Sequence, residues 1–141
     1  MNNLIEFWAN TVVNKGTTIN LITRQTEWDK GYFVSLPNGI VVGLNDNPKQ
    51  AIKDFSEANK EQLLEPNKNL GSWINKGKLY LDVSELILDK RQAIQRAYAN
   101  NQQAIYDNAN QVCINLPEPQ RSGTVTQQKA YLILVIDRLC S

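Results

Sequence analysis

GSWINKGKLYLDVSELILDKRQAIQRAYANNQQAIYD, residues 71–107, is the most patterned stretch of the chain. Trp73 and Ile74 begin a strand, Asn75-Lys76-Gly77 turns it, and Lys78 to Ser84 alternates. Leu79, Leu81 and Val83 share one face of that second strand; Lys78, Tyr80, Asp82 and Ser84 share the other. A period of two marks a strand with one buried side. Asp89 can cap a helix over 90–100 whose stripe is Ala93, Ile94, Ala97 and Tyr98. Asn100-Asn101 is a fitting stop, because Asn tolerates the left-handed conformation at a helix end. Gln103 to Asp107 then reads as a strand, Asn108-Ala109-Asn110 as a turn, and Gln111 to Leu116 as the antiparallel partner.

Working outward, Leu4, Phe7, Trp8 and Val12 are spaced as the stripe of an amphipathic helix over 3–13. Val12, Val13 and the turn at Asn14-Lys15-Gly16 leave a strand open there. Thr17 to Ile22 reads as a strand and Arg24 to Lys30 as a polar connection. Gly31 to Leu36, the turn Pro37-Asn38-Gly39, and Ile40 to Val42 predict a hairpin over 31–44. Asp46 or Asn47, with Pro48 at the first helical position, opens a helix over 48–64, ended by Glu65-Pro66-Asn67. Its stripe is Ala51, Ile52, Phe55, Asn59 and Leu63. At the other end, Thr124 or Thr126 can cap a segment over 126–139, read as helix with strand as the alternative. Its run Ala130 to Ile136 is nearly all apolar, which predicts burial on all sides. NPKQAIKDFSEAN at 47–59 and DKRQAIQRAYANN at 89–101 align without gaps and read as two independent capped helices with similar packing needs.

The expected fold class is α+β. A single-layer, mostly antiparallel sheet of five to seven strands is built from hairpins and packed with three or four helices. The 141 residues are expected to form a single domain, 1–141.

Composition narrows the chemistry. Histidine is absent, which removes the commonest general base and transition-metal ligand and excludes Ser-His-Asp and Cys-His catalysis within the chain. Cys113 and Cys140 have no CxxC spacing and are expected as free thiols, with a disulfide as the alternative. Cys113, between Val112 and Ile114, is read as a buried, inert thiol. The formal charge of +1 points to no electrostatic partner class. No apolar run reaches transmembrane length, and MNNLIEFWAN lacks the form of a signal peptide, so a cytoplasmic location is expected, with no membrane partner. No phosphate-binding glycine loop and no calcium loop occur. No cofactor or metal is expected.

Three candidate sites remain. Asp82, Glu85 and Asp107 lie near strand ends, where paired carboxylates could do acid–base work; the simpler reading is solvated face residues or caps. Arg121-Ser122-Gly123-Thr124 could hold a phosphate through Arg121, Ser122 and Thr124, or be an ordinary loop entering a helix. Trp28 sits in a polar connection close to Tyr32. It suits an interface anchor, or a ring folded back over a sheet edge. Tyr80, Asp82 and Ser84, on the face opposite the apolar alternation, are the other candidate contact residues.

GYFVSLPNG at 31–39, LGSWINKGKLYLDVSELILDKRQAI at 70–94 and NNQQAIYD at 100–107 together resemble a small domain encoded by phages, prophages and plasmids. The resemblance covers about 17–107, with Ser72 and Asn75 as departures from its pattern. It carries no known activity and no catalytic residue. It implies a mobile-element accessory protein inside a bacterial cell, acting by binding a host or phage macromolecule, with inhibition of a host defence system as one role. A protein partner is expected first; nucleic acid stays open, as does a homo-oligomer. A small-ligand or nucleotide binder and a carboxylate-dependent enzyme are the alternatives.

Overall fold

The computed structural model describes residues 2–119 and 123–140. In chain order the elements are α1 (Asn2–Asn14), β1 (Gly16–Ile19), β2 (Tyr32–Ser35), β3 (Ile40–Gly43), α2 (Pro48–Ala58), α3 (Lys60–Leu63), β4 (Lys68–Asn75), β5 (Lys78–Ile87), α4 (Lys90–Ala99), β6 (Ala104–Asp107), β7 (Val112–Asn115) and α5 (Val125–Cys140). All described strand pairs are antiparallel, and the class is α+β. The chain forms two compact units. The first is Met1–Trp28 with Asn38–Leu86, and the second is Asp29–Pro37 with Ile87–Ser141.

The first unit is built on the β4–β5 hairpin. Lys76 and Gly77 take φ of 52° and 75°, the two positive values a tight two-residue hairpin loop requires. That loop sets the register, with Asn75 opposite Lys78 and Trp73 opposite Tyr80. Once register is set, alternation puts Leu79, Leu81 and Val83 on the buried side, with Leu70 opposite Val83. β1 pairs with β4 and β3 pairs with β5, giving the order β1-β4-β5-β3. Phe7, Ile19, Ile52, Phe55 and Leu63 are buried as well, so each of the three helices contributes to the core. A polar tie holds α1 to the sheet. Thr11 Oγ1 donates to the Phe7 carbonyl at 2.7 Å and lies 2.6 Å from Ser72 Oγ. Ser72 Oγ also accepts from the Thr17 amide at 3.1 Å. The buried Thr11 hydroxyl is thereby satisfied rather than left as a penalty.

The second unit orders its strands β2-β6-β7. Val34, Ala93, Ile94, Ala97, Ile105, Leu116 and Ile136 form its core, with Leu132 and Leu139 of α5 packed against it. Asp89 caps α4, its carboxylate accepting from the Gln92 amide at 2.9 Å. The amide-rich stretch after α4 has a structural task. Asn100 donates to the Ser35 carbonyl at 3.1 Å and Gln102 to Leu36 at 3.5 Å, so these side chains satisfy the end of β2.

Several expectations need correction. The hairpin over 31–44 does not form: β2 pairs with β6, and β3 with β5. Neither Asn38 nor Gly39 takes a positive φ, so this turn lacks the conformation of a tight two-residue hairpin loop. Instead the Asn38 amide donates to Asn59 Oδ1 at 2.5 Å and Gln62 Oε1 at 3.0 Å. By Gly39 the chain already runs along β5; a β-carbon there would sit 3.1 Å from the Leu81 carbonyl oxygen. The helix over 48–64 is two helices, divided at Asn59 (φ −111°). Asn47 precedes α2 in a left-handed conformation without a side-chain cap. Residues 2–14 and 125–140 are helical, which settles both helix-or-strand alternatives. The apolar run of α5 is not buried on all sides: Val135 and Ile136 face the core, while Ile133 and Leu134 are exposed. Cys113 is exposed and both thiols are free, because β7 pairs only with β6 and Cys113 points away from the core.

The two similar segments become α2 in the first unit and α4 in the second. Each buries the isoleucine of its Gln-Ala-Ile, Ile52 and Ile94. No helix among the described residues is long and apolar enough to cross a membrane.

Candidate interaction surface

The two faces of the first unit's sheet differ. One carries Leu70, Ser72, Leu79, Leu81 and Val83 and is tied to α1 through Thr11. The other carries Trp73 and Tyr80 directly opposite each other, with Val41 of β3 opposite Tyr80 on its far side. The Trp73 and Tyr80 rings lie 5.0 Å apart between centroids and 39° from parallel, within the range for a favourable aromatic pair. Trp73 is 51% exposed and Val41 52%. Three neighbouring positions on three strands thus present an apolar, aromatic surface to solvent. Tryptophan and tyrosine bury much area for little lost side-chain freedom, which makes such a pair a good anchor.

The rest of this face is shaped by glycine. Gly71 stands opposite Asp82, and the Asp82 carboxylate occupies the space a Gly71 side chain would need. Gly39 flanks Asp82 on the other side: a β-carbon there would lie 3.6 Å from the Asp82 Cβ. Asp82 is therefore laid down on a glycine floor beside the aromatic pair. Further along β5, Ser84 is 4% exposed and its Oγ has no hydrogen-bond partner among the described residues. Opposite it, buried Asn69 accepts from Asn20 Nδ2 at 3.1 Å.

Trp28 is half-buried and already engaged with a partner. Tyr32 lies in the second unit, packed against its core, where burial raises its phenol above the ordinary value. Trp73, read from sequence only as the start of a strand, is the more exposed tryptophan. The signal for it was present. A tight turn at Lys76-Gly77 pairs residues equidistant from it, which sets Trp73 against Tyr80.

Two of the candidate carboxylates, Asp82 and Glu85, do not converge. Asp82 and Glu85 are an odd number of residues apart on one strand and so face opposite sides. Glu85 is bound to Lys68 Nζ at 2.9 Å, and Lys68 also lies 3.7 Å from Glu65. Asp107, buried in the second unit, is a turn former. It accepts from Asn110 Nδ2 at 2.8 Å and from the amides of Ala109 and Asn110 at 3.1 and 3.4 Å. No cluster of three metal-ligating side chains occurs among the described residues. Arg121 and Ser122 lie outside the described residues. Thr124 is engaged as the cap of α5. Its Oγ1 accepts from the Gln127 amide at 3.1 Å, and its own amide donates to Gln127 Oε1 at 2.8 Å.

The Asp107 turn predicts a pH dependence. The Asn110 side chain, then the two backbone amides, hold the Asp107 carboxyl below its ordinary value of 3.8, against the opposing effect of burial, and Lys90 adds a smaller pull. A carboxyl depressed on folding stabilises fully above the unfolded value and loses that contribution as pH falls through the folded one. Asp107→Asn should therefore flatten the acid limb of thermal stability below pH 3.8, with little change in shape above it. Melting curves across that range check it; a superimposable acid limb would show that the turn carries no such linkage.

Comparison with family models, with curated proteins and with solved structures returns no match for this chain.

Proposed function

We propose that this protein acts by binding another protein through the open face that carries Trp73, Tyr80 and Val41. The observation that supports this is the half-exposed Trp73 stacked on Tyr80 beside exposed Val41, on a sheet face opposite the one that holds α1. Tyr80 and Asp82 contribute to the same face, and Ser84 lies at its buried end. The biological setting is the one the sequence resemblance implies: an accessory protein of a phage or other mobile element, working in the cytoplasm of a bacterial host, with inhibition of a defence system as one role.

The ligand-binding alternative has less support. Two cavities among the described residues, one lined by Glu6, Asn10 and Arg24 and the other by Tyr98, Gln102 and Pro117, hold about 30 and 80 Å³. Pockets for drug-sized ligands run from roughly 300 to 1,000 Å³. The enzymatic alternative needs two of the candidate carboxylates together, and Asp82 and Glu85 face opposite ways.

The test is competitive. The intact protein is immobilised, a host lysate is passed over it, and the retained protein is identified and purified. Trp73→Ala should weaken its binding by at least tenfold, about 1.4 kcal/mol, measured by calorimetry. Ile5→Ala, at an exposed apolar position on α1, should leave it unchanged. Equal affinity for wild type and Trp73→Ala would sink the proposal.

A further inference from the structure

The second unit ends in an edge that is open along its backbone. β7 pairs with β6 in the register Ile105–Ile114 and Tyr106–Cys113, and the Leu116 amide donates to the Gln103 carbonyl at 2.8 Å. In an antiparallel ladder, hydrogen-bonded and non-hydrogen-bonded pairs alternate. The Gln103–Leu116 bond therefore sets the parity. Val112, Ile114 and Leu116 turn their N–H and C=O toward β6. Cys113 and Asn115 turn theirs outward.

Natural edges are usually guarded by charge, proline or a bulge. The sequence of β7, Val-Cys-Ile-Asn, has none of these, and Val112 is 48% exposed with Cys113 exposed beside it. An uncharged edge meets no electrostatic penalty when it pairs with its own copy. The outward groups are also self-complementary. If two β7 strands run antiparallel about a two-fold axis through Ile114, Cys113 of each copy falls opposite Asn115 of the other. Each such pair exchanges two N–H···O bonds, four in all, and the two Ile114 residues form the close, non-hydrogen-bonded pair on the axis. Registers that reach further toward the N-terminus must include Gln111, whose φ of 54° ends the strand.

We propose that β7 is a self-association edge, pairing with β7 of a second copy about a two-fold axis at Ile114. The strand is four residues long, so the contact is small and the dimer reversible.

Sedimentation equilibrium of the intact protein from micromolar to millimolar concentration tests this. Wild type should shift from monomer to dimer across that range, and Asn115→Ala, which keeps the amide, should follow it. Asn115→Pro removes an outward N–H from each copy and leaves the β6 ladder intact, because proline is tolerated where the N–H faces solvent. It should remain monomeric. A wild type that stays monomeric at millimolar concentration, or an Asn115→Pro variant that dimerises like wild type, overturns the proposal. Amide hydrogen exchange provides a measurement free of any variant. The Cys113 and Asn115 amides of wild type should exchange more slowly as concentration rises, and rates independent of concentration would equally refute it.

Discussion

Phe7→Ala should destabilise the protein by about 3–5 kcal/mol, the cost of removing a phenyl ring from a packed core. Phe7 is 1% exposed and sits mid-way along α1. Its ring is the largest group α1 places in the first unit's core. One turn later the same helix face presents Thr11, whose hydroxyl meets Ser72. A shift of α1 into the vacated space would break that polar tie, so the site cannot collapse cheaply. The full cost of the cavity is thus expected, not a partly relaxed one. Urea unfolding followed by circular dichroism measures it. Ile5→Ala on the outer side of the helix, where the side chain is exposed, should lie within about 0.5 kcal/mol of wild type. A Phe7→Ala cost below about 1 kcal/mol would mean that α1 is not anchored as described.

Ile94→Ala is the second large effect, expected at about 2–5 kcal/mol. Ile94 is fully buried in α4, among Val34, Ala97, Ile105, Leu116 and Ile136. It is the largest side chain of α4 that is fully buried in that core, which also draws on the strands and α5. Ala93 and Ala97 beside it are already small, and Tyr98, one turn on, is held away by the hydrogen bond from its hydroxyl to the Pro117 carbonyl at 2.7 Å. Folded proteins hold only about 5–15 kcal/mol in total, so either variant removes a large share of the margin. The two should differ in where the loss is felt. Amide exchange ought to rise first in β2, β6 and α4 for Ile94→Ala, and in α1, β1 and β4 for Phe7→Ala. Leu134→Ala, on the exposed side of α5, is the matching control.

The exposed ion pair Arg91–Asp137, at 2.6 Å, shows why these predictions rest on apolar packing. Side chains about half in water contribute little when paired, because solvent screens them and ordering them costs entropy.

How far the chain could be understood without coordinates depended on whether a feature was local. The second strand of the β4–β5 hairpin and its turn were legible, since Lys76-Gly77 and the Leu79, Leu81, Val83 alternation act within a few residues of each other, whereas β4 from Lys68 to Ser72 was not. The Asp89 cap was legible for the same reason, and Thr124 was one of two candidate caps for the last helix. The supposed 31–44 hairpin was not, because pairing of β3 with β5 joins residues about forty apart, and no local pattern states it. The candidate surface was legible in half. Tyr80 and Asp82 follow from their face of the strand, while Trp73 does not, because its half of the hairpin lacks a clean alternation.

What the sequence by itself determined is the Leu79, Leu81, Val83 alternation, the turn that ends at Gly77, the Asp89 cap and the absence of histidine chemistry. These follow from turn geometry, capping and composition, which each residue carries wherever it goes. The tertiary structure alone decided which surfaces are covered. Alternation says that a strand has two unlike faces, but only packing shows that the Ser72 face meets α1 and leaves Trp73 in water. The same holds for Cys113 and for Ile133 and Leu134, whose apolar neighbours predict burial and whose positions on an edge strand and an outer helix face deny it. Burial is a property of the assembled fold, because a side chain loses water only when another element arrives to replace it.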